Sequence, residues 1–256
     1  MSALENPCQS EKIFGGWGDR SRLDPGPMPT PVLETDALSR RFGSRWALAR
    51  VNLRIEEGER FLIVGGNGSG KTTLLRILAT ALPRSLGGLS VFGLDPEKDR
   101  EAVRAKLALL SHKSAIYEDL CASENLDIVC RLAGQPLDAE ALLAQVGLEP
   151  RPDPVRFYSA GMRKRLAFAR LLAQKPALAL IDEPYGQLDP EGFDLVDGLM
   201  DRLAKSGTTV VIASHLVERA AAQCDRALLL ESGQPRFLGP AEDVPKAWHV
   251  LHRGSK

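Results

Sequence analysis

Several features that would mark a specialised chain are absent from these 256 residues. Cysteine is scarce, and Cys8, Cys121, Cys130 and Cys224 are scattered with no Cys-x-x-Cys pair. That pattern reads as reduced thiols in a cytosolic protein and offers no thiolate metal site. No apolar run approaches the roughly 20 residues that a membrane-spanning helix needs. Met1 to Arg22 lacks the core of a signal peptide, because Glu5, Glu11 and several glycines interrupt it. Excess charge is missing too: Lys+Arg and Asp+Glu both number 33, which gives no reason to expect a nucleic-acid partner. There is no internal repeat. The expectation is a soluble chain with one α/β core and some extra material at its ends.

What is present is a run of four apolar residues followed at once by a glycine-rich turn: Phe61-Leu-Ile-Val-Gly65-Gly-Asn67-Gly68-Ser69-Gly70-Lys71-Thr72-Thr73. Apolar helical spacing then continues from Lys71 to Ala81. Strand, glycine loop, Lys-Thr and helix in that order are the context of a phosphate-binding loop. The glycines let backbone N–H groups curl around phosphate oxygens, and the helix N-terminus adds partial positive charge. Lys71 would reach the β- and γ-phosphates, and the Thr72 hydroxyl would ligate Mg²⁺.

The rest of the chain reads around that loop. Residues 1–31, rich in proline and glycine, are expected to be a flexible extension. Strands are expected at Val32 to Leu38 and Ala47 to Ile55, around a turn at Phe42-Gly43, and then at Leu89 to Phe92 and Leu107 to Leu110. Asp95 to Lys106 reads as a charged helix. A small helical insertion is expected over about 114–172, with one helix capped by Ser123 and another over Leu137 to Val146. A long helix follows over Ser159 to Gln174. Further strands fall at Leu178 to Ile181, Thr209 to Ala213 and Ala227 to Leu230, separated by helical stretches. Alternation of strand and helix implies an α/β fold with a largely parallel sheet covered on both faces.

The strand after the long helix ends in two acids, Asp182-Glu183. Buried strands rarely end so unless a cation or a reacting water is near. Asp182 is placed to hold Mg²⁺ and Glu183 to polarise an attacking water.

Tyr158-Ser159-Ala160-Gly161-Met162 followed by Arg-Lys-Arg-Leu resembles the signature motif of ABC transporter ATPases. Gly186-Gln-Leu-Asp189 resembles that family's D-loop, and Ile212-Ala-Ser-His215 its switch-histidine strand. Phe42 falls where an aromatic side chain stacks on adenine. The match runs from about Val32 to Gly239. Three positions depart from the signature (Tyr158, Ala160, Met162), while Ser159 and Gly161 remain. His112, with Lys113 after it, stands where the family has the Q-loop glutamine. The basic run Arg163-Lys164-Arg165 is left without a role.

The resemblance implies a P-loop NTPase with a mostly parallel RecA-like core sheet, an antiparallel β subdomain and a small helical subdomain. Such a domain would span 32–245, followed by a C-terminal tail over 246–256. The cofactors implied are ATP and Mg²⁺. In a homodimer or pseudo-dimer, ATP on Gly65 to Thr73 of one subunit would be completed by Ser159 to Met162 of the other. His215 would contact the γ-phosphate, and Asp189 the opposite subunit's site. A separate integral-membrane permease would be the partner, placing the chain on the cytoplasmic face of the cell membrane. Ser111 to Leu120 and Tyr158 to Arg163 also resemble the ATPase of the haem exporter in bacterial cytochrome c maturation. ATPases of drug and polysaccharide exporters share those features. A soluble ABC ATPase acting on DNA or ribosomes would need a long heptad insert or a second phosphate loop, and neither occurs.

Overall fold

Strands that read as unbroken apolar runs belong to a sheet covered on both faces. The computed structural model describes residues 31–111 and 115–252. Residues 1–30 of the expected extension, His112, and 253–256 of the expected tail lie outside the described residues. Along the chain the strands are β1 (Leu33–Phe42), β2 (Arg45–Ile55), β3 (Arg60–Val64), β4 (Leu86–Val91), β5 (Leu107–Leu110), β6 (Leu178–Asp182), β7 (Thr209–Ser214), β8 (Arg226–Glu231) and β9 (Gln234–Pro240). The helices are α1 (Lys71–Leu78), α2 (Arg100–Arg104), α3 (Ala122–Leu132), α4 (Ala139–Ala144), α5 (Ala160–Gln174), α6 (Pro190–Lys205), α7 (Val217–Ala221) and α8 (Val244–His252).

One sheet has the order β5-β6-β7-β3-β8-β9. All its pairings are parallel except that of β9 with β8. Period-two alternation splits its strands between two cores. Phe61 and Ile63 of β3 join Leu180, Val211 and Leu228 in one core, together with Leu74 and Leu75 of α1. Leu62 and Val64 join Ile181, Ile212 and Leu229 in the other, with Phe168 of α5 and Leu199 of α6. The second sheet, β2-β1-β4, is antiparallel and closes over α1 to complete the first core. α3 and α4 pack on α5, which rests on β5; this is the expected small helical subdomain.

The register of the parallel strands positions the site. Val64 pairs with Ser214, and Asp182 with Ala213, so β3, β6 and β7 end at one level. Beyond their carboxyl ends, beside the glycine loop, is where open α/β sheets place ligands.

Several expected boundaries move, for local reasons. α1 stops at Leu78 because Thr80 turns left-handed (φ 59°) and the Ala81 N–H reaches back to the Arg76 carbonyl at 2.8 Å. The charged helix shrinks to Arg100–Arg104, since Pro96 keeps Asp95 out of helical backbone and a turn on Asp95 precedes it. α3 is capped two residues before Ser123, at Cys121: Glu124 accepts the Cys121 N–H at 2.8 Å, leaving Ser123 inside the helix. The helix expected over Leu137 to Val146 is α4, shortened to Ala139–Ala144 and capped by Asp138. β4 begins at Leu86 rather than Leu89. Its Gly87 (φ +89°) lies so close to β1 that a Cβ would stand 2.5 Å from the Asp36 and Ala37 carbonyl oxygens. The residues expected as a tail are helical as far as His252, in α8, which packs on α7 and β8. β9 is not anticipated by sequence; its two prolines hide an edge strand.

Phe61 is fully buried and Phe157 is 71% exposed. Phe61→Ala is expected to lower the unfolding free energy by ~3–5 kcal/mol. Phe157→Ala should stay within about 0.5 kcal/mol of the parent. Denaturant titration of both variants checks this.

Candidate active site

The loop between β3 and α1 is shaped by contacts that only glycine allows. A Cβ on Gly65 would stand 2.3 Å from Ser69 Oγ and 2.4 Å from the Leu230 carbonyl oxygen. The loop therefore lies flat on the end of β8. It is strapped there by the turn joining β8 to β9: the Gly233 N–H donates to Ser69 O at 2.9 Å, and the Ala49 N–H donates to Gly233 O at 2.8 Å.

Beside this loop lies a cleft of about 840 Å³, lined by Phe42, Asn67 to Thr73, Asp182 and Glu183, with Arg45, Trp46, Ala47 and Ser232. The structure thus brings together the phosphate loop, the expected adenine-stacking residue and the paired acids. Lys71 is buried, and its Nζ donates to Gly65 O at 2.7 Å and Gly66 O at 3.2 Å; it stands 3.8 Å from Glu183 Oε1. Phe42 is 48% exposed, with the Arg40 guanidinium 4.5 Å from its ring centroid. One ring face is thereby occupied by a cation.

Thr72 Oγ1 donates to Asp182 Oδ2 at 2.8 Å. Asp182 is 2% exposed, and burial raises its carboxyl above the usual carboxylate range, partly opposed by the Thr72 hydrogen bond. Its Oδ1 and the buried Ser69 hydroxyl have no hydrogen-bond partner among the described residues. A hard-oxygen pair with one buried lone oxygen suits Mg²⁺. Among the described residues no group of three or more His, Cys, Asp or Glu could hold a metal by itself. A cation here would therefore draw its remaining ligands from nucleotide and water.

Glu183 adopts φ 50°, a left-handed backbone that costs about 1–3 kcal/mol outside glycine. The consequence is a carboxylate turned to the end of β7, where Glu183 Oε2 lies 2.8 Å from His215 Nδ1. His215 and Glu183 are 32 positions apart and meet because β6 and β7 are neighbours.

The signature residues lie elsewhere. A second cleft, of about 640 Å³, is lined by Ser159, Gly161, Met162, Leu188 and Asp189 among others. It shares no lining residue with the first. Ser159 caps α5 by accepting the Met162 N–H at 3.1 Å, and Asp189 caps α6 by accepting the Gly192 N–H at 2.8 Å. The Asp189 carboxylate thus already has a partner in its own helix.

Sequence reasoning missed Arg45, Trp46 and Ser232, and it left the basic run without a role, although Lys164 Nζ donates to the Glu183 carbonyl at 2.8 Å. Ser232-Gly233 carried a turn signal; nothing local pointed to the other two.

Residues 48–186 match the family model described as ABC transporter. The chain is 39% identical over 186 residues to the cytochrome c biogenesis ATP-binding export protein CcmA of Nitrosococcus oceani, covering 72% of this chain and 86% of that protein. It is 33% identical over 223 residues to a daunorubicin resistance ATP-binding protein of Streptomyces coeruleorubidus, covering 85% and 71%. Among solved structures, the dimeric structure of a bacterial ABC transporter cassette superposes with a TM-score of 0.72 at 26% identity, over 82% of this chain and 98% of that one.

Asp182→Asn is expected to raise the thermal midpoint of the nucleotide-free protein near neutral pH. It removes a carboxylate whose charge is penalised by burial. The gain should be roughly 2–4 °C per kcal/mol relieved, read by calorimetry. A lower midpoint would mean that the Thr72 hydrogen bond outweighs the desolvation.

Proposed function

The chain belongs to the ABC transporter family, and from that premise we propose how its residues divide the work of an ATP-hydrolysing subunit. It binds and hydrolyses ATP. The observation that carries the reading is that the phosphate-loop cleft and the signature cleft share no lining residue on one chain. We read a nucleotide touching both as lying between two copies arranged head to tail, in a homodimer or a pseudo-dimer with a second ATPase subunit. Self-association is supported by the similarity to a cassette whose structure is dimeric.

In this reading the backbone N–H groups of Asn67 to Thr73 and the start of α1 hold the phosphates, where dipole and hydrogen bonds both favour an anion. Lys71 exchanges its two carbonyl partners for phosphate oxygens. Thr72 and Asp182 offer hard oxygens to Mg²⁺, which when bound neutralises charge on the phosphates. Glu183 accepts the proton of the attacking water, and His215, already in contact with its carboxylate, donates toward the γ-phosphate. Ser159 and Gly161 present the N-terminus of α5 to the other copy's nucleotide. Asp189 reaches across only by giving up its cap on α6.

No helix among the described residues is long and apolar enough to cross a membrane. Coupling to transport therefore calls for a membrane subunit, with this chain peripheral on the cytoplasmic face. Export is the direction we favour, and haem export in cytochrome c-type biogenesis the first candidate, supported by the identity to CcmA over most of that protein's length. Drug or polysaccharide export is the alternative, supported by the similarity to the daunorubicin resistance protein. Purification from native membranes distinguishes them: an integral partner accompanied by haem-handling proteins supports the first.

Glu183→Gln keeps the side chain's shape but removes its basicity. It should lower ATP turnover at least about a hundredfold while ATP still binds and dimers persist. Turnover near the parent's would overturn the general-base role. Lys71→Ala should instead weaken ATP binding itself, by equilibrium titration, because the lost charge faces the phosphates.

A further inference from the structure

The basic run at the start of α5 separates in the structure. Arg165 Nη1 donates to Val146 O at 3.3 Å, bracing the helical layer. Lys164 reaches the end of β6 instead: its Nζ donates to the Glu183 carbonyl at 2.8 Å, with the ammonium 5.8 Å from the Phe168 ring centroid. Lys164, Arg163 and Ala160 line a cavity of about 210 Å³ against Glu183, Gly186 and Gln187. Half-buried there, Lys164 is pushed down to about 8 by desolvation, against the upward pull of Asp182 and Glu183. An ammonium is a costly choice for a bond that a neutral side chain could also make.

The bond falls on a peptide whose residue is left-handed, Glu183 at φ 50°. A left-handed non-glycine residue persists only where its surroundings over-determine it. The Glu183 N–H donates to Ala213 O at 2.8 Å, and its carbonyl accepts the Gly186 N–H at 3.2 Å. Those two restraints come from the neighbouring strand and from the same loop. The third, Lys164, comes from α5, whose first turn carries Ser159 and Gly161. Five residues of helix therefore connect the signature cleft to the carboxylate that faces His215.

We propose that Lys164 is a positioning residue: it holds the Glu183 peptide in the conformer that aims the carboxylate at His215, and so makes that aim depend on where α5 sits. The inference rests on the reading of Glu183 as general base. A displacement of a reacting group by about 1 Å can cost up to about a hundredfold in rate, so one restraint on this peptide is enough to matter.

The test compares the purified chain with Lys164→Met, which keeps the stem and loses the donor, and Lys164→Arg, which restores a donor. Lys164→Met should lower kcat roughly ten- to hundredfold, with ATP affinity by equilibrium titration unchanged within about threefold. Lys164→Arg should recover kcat to within about threefold of the parent, and thermal midpoints show that all three fold. The proposal is overturned if Lys164→Met turns over ATP within about twofold of the parent, if its affinity falls as far as its kcat, or if Lys164→Arg is equally slow. Glu183→Gln is run alongside. Parental turnover in that variant overturns the general-base reading and this inference with it. A dead Glu183→Gln beside a fully active Lys164→Met overturns the role of Lys164 alone.

Discussion

Everything in the site depends on three parallel strands ending at the same level. The backbone hydrogen bonds that pair Val64 with Ser214 and Asp182 with Ala213 fix where the glycine loop begins, where the acids stop and where His215 emerges. A slip of one residue would invert each strand's faces, moving Ile181 and Ile212 out of one core and Leu180 and Val211 out of the other. Because both faces are buried, that slip is prohibited by packing on two sides. The chemistry inherits its precision from the cores.

The loop after Glu183 needs its own support, since it carries two left-handed residues, Glu183 and Gln187. Tyr185 supplies it. The side chain is buried, its hydroxyl donates to Asp197 of α6 at 2.7 Å, and its ring meets Phe193 edge-on at 5.5 Å. Burial and Asp197 raise the phenol well above its ordinary value, so the donor is retained across the physiological range. Arg219 of α7 binds Asp194 and Asp197, tying α6 to the helix that follows His215. The acid, the histidine and the D-loop thus belong to one braced unit, and strain at Glu183 is offset by order around it.

The two clefts draw on different residues for a structural reason. The phosphate loop belongs to the core shared with the antiparallel sheet, whereas Ser159 and Gly161 begin a helix that also serves the helical layer. Within a chain, Lys164 and the Glu183 backbone link α5 to the strand end that carries the acids.

Short-range signals settled much of this protein in advance. The glycine loop, the apolar strands, the Asp182-Glu183 ending and the helix starting at Ser159 are local patterns, and each folds as its residues dictate: glycine where a Cβ cannot fit, apolar runs where both faces are covered, helical spacing where one face is buried. Boundaries failed where a local rule competed with a partner distant in sequence. Leu86 to Gly88 lay outside the expected strand until β1 lay alongside, and β9, which carries two prolines, was not expected and forms at an edge. The clustering of the site was decided only by tertiary structure. Lys71 to Glu183, Thr72 to Asp182, Glu183 to His215 and Ser69 to Gly233 are contacts across 112, 110, 32 and 164 positions. Local spacing carries no information about such distances; strand order and the packing of two cores do.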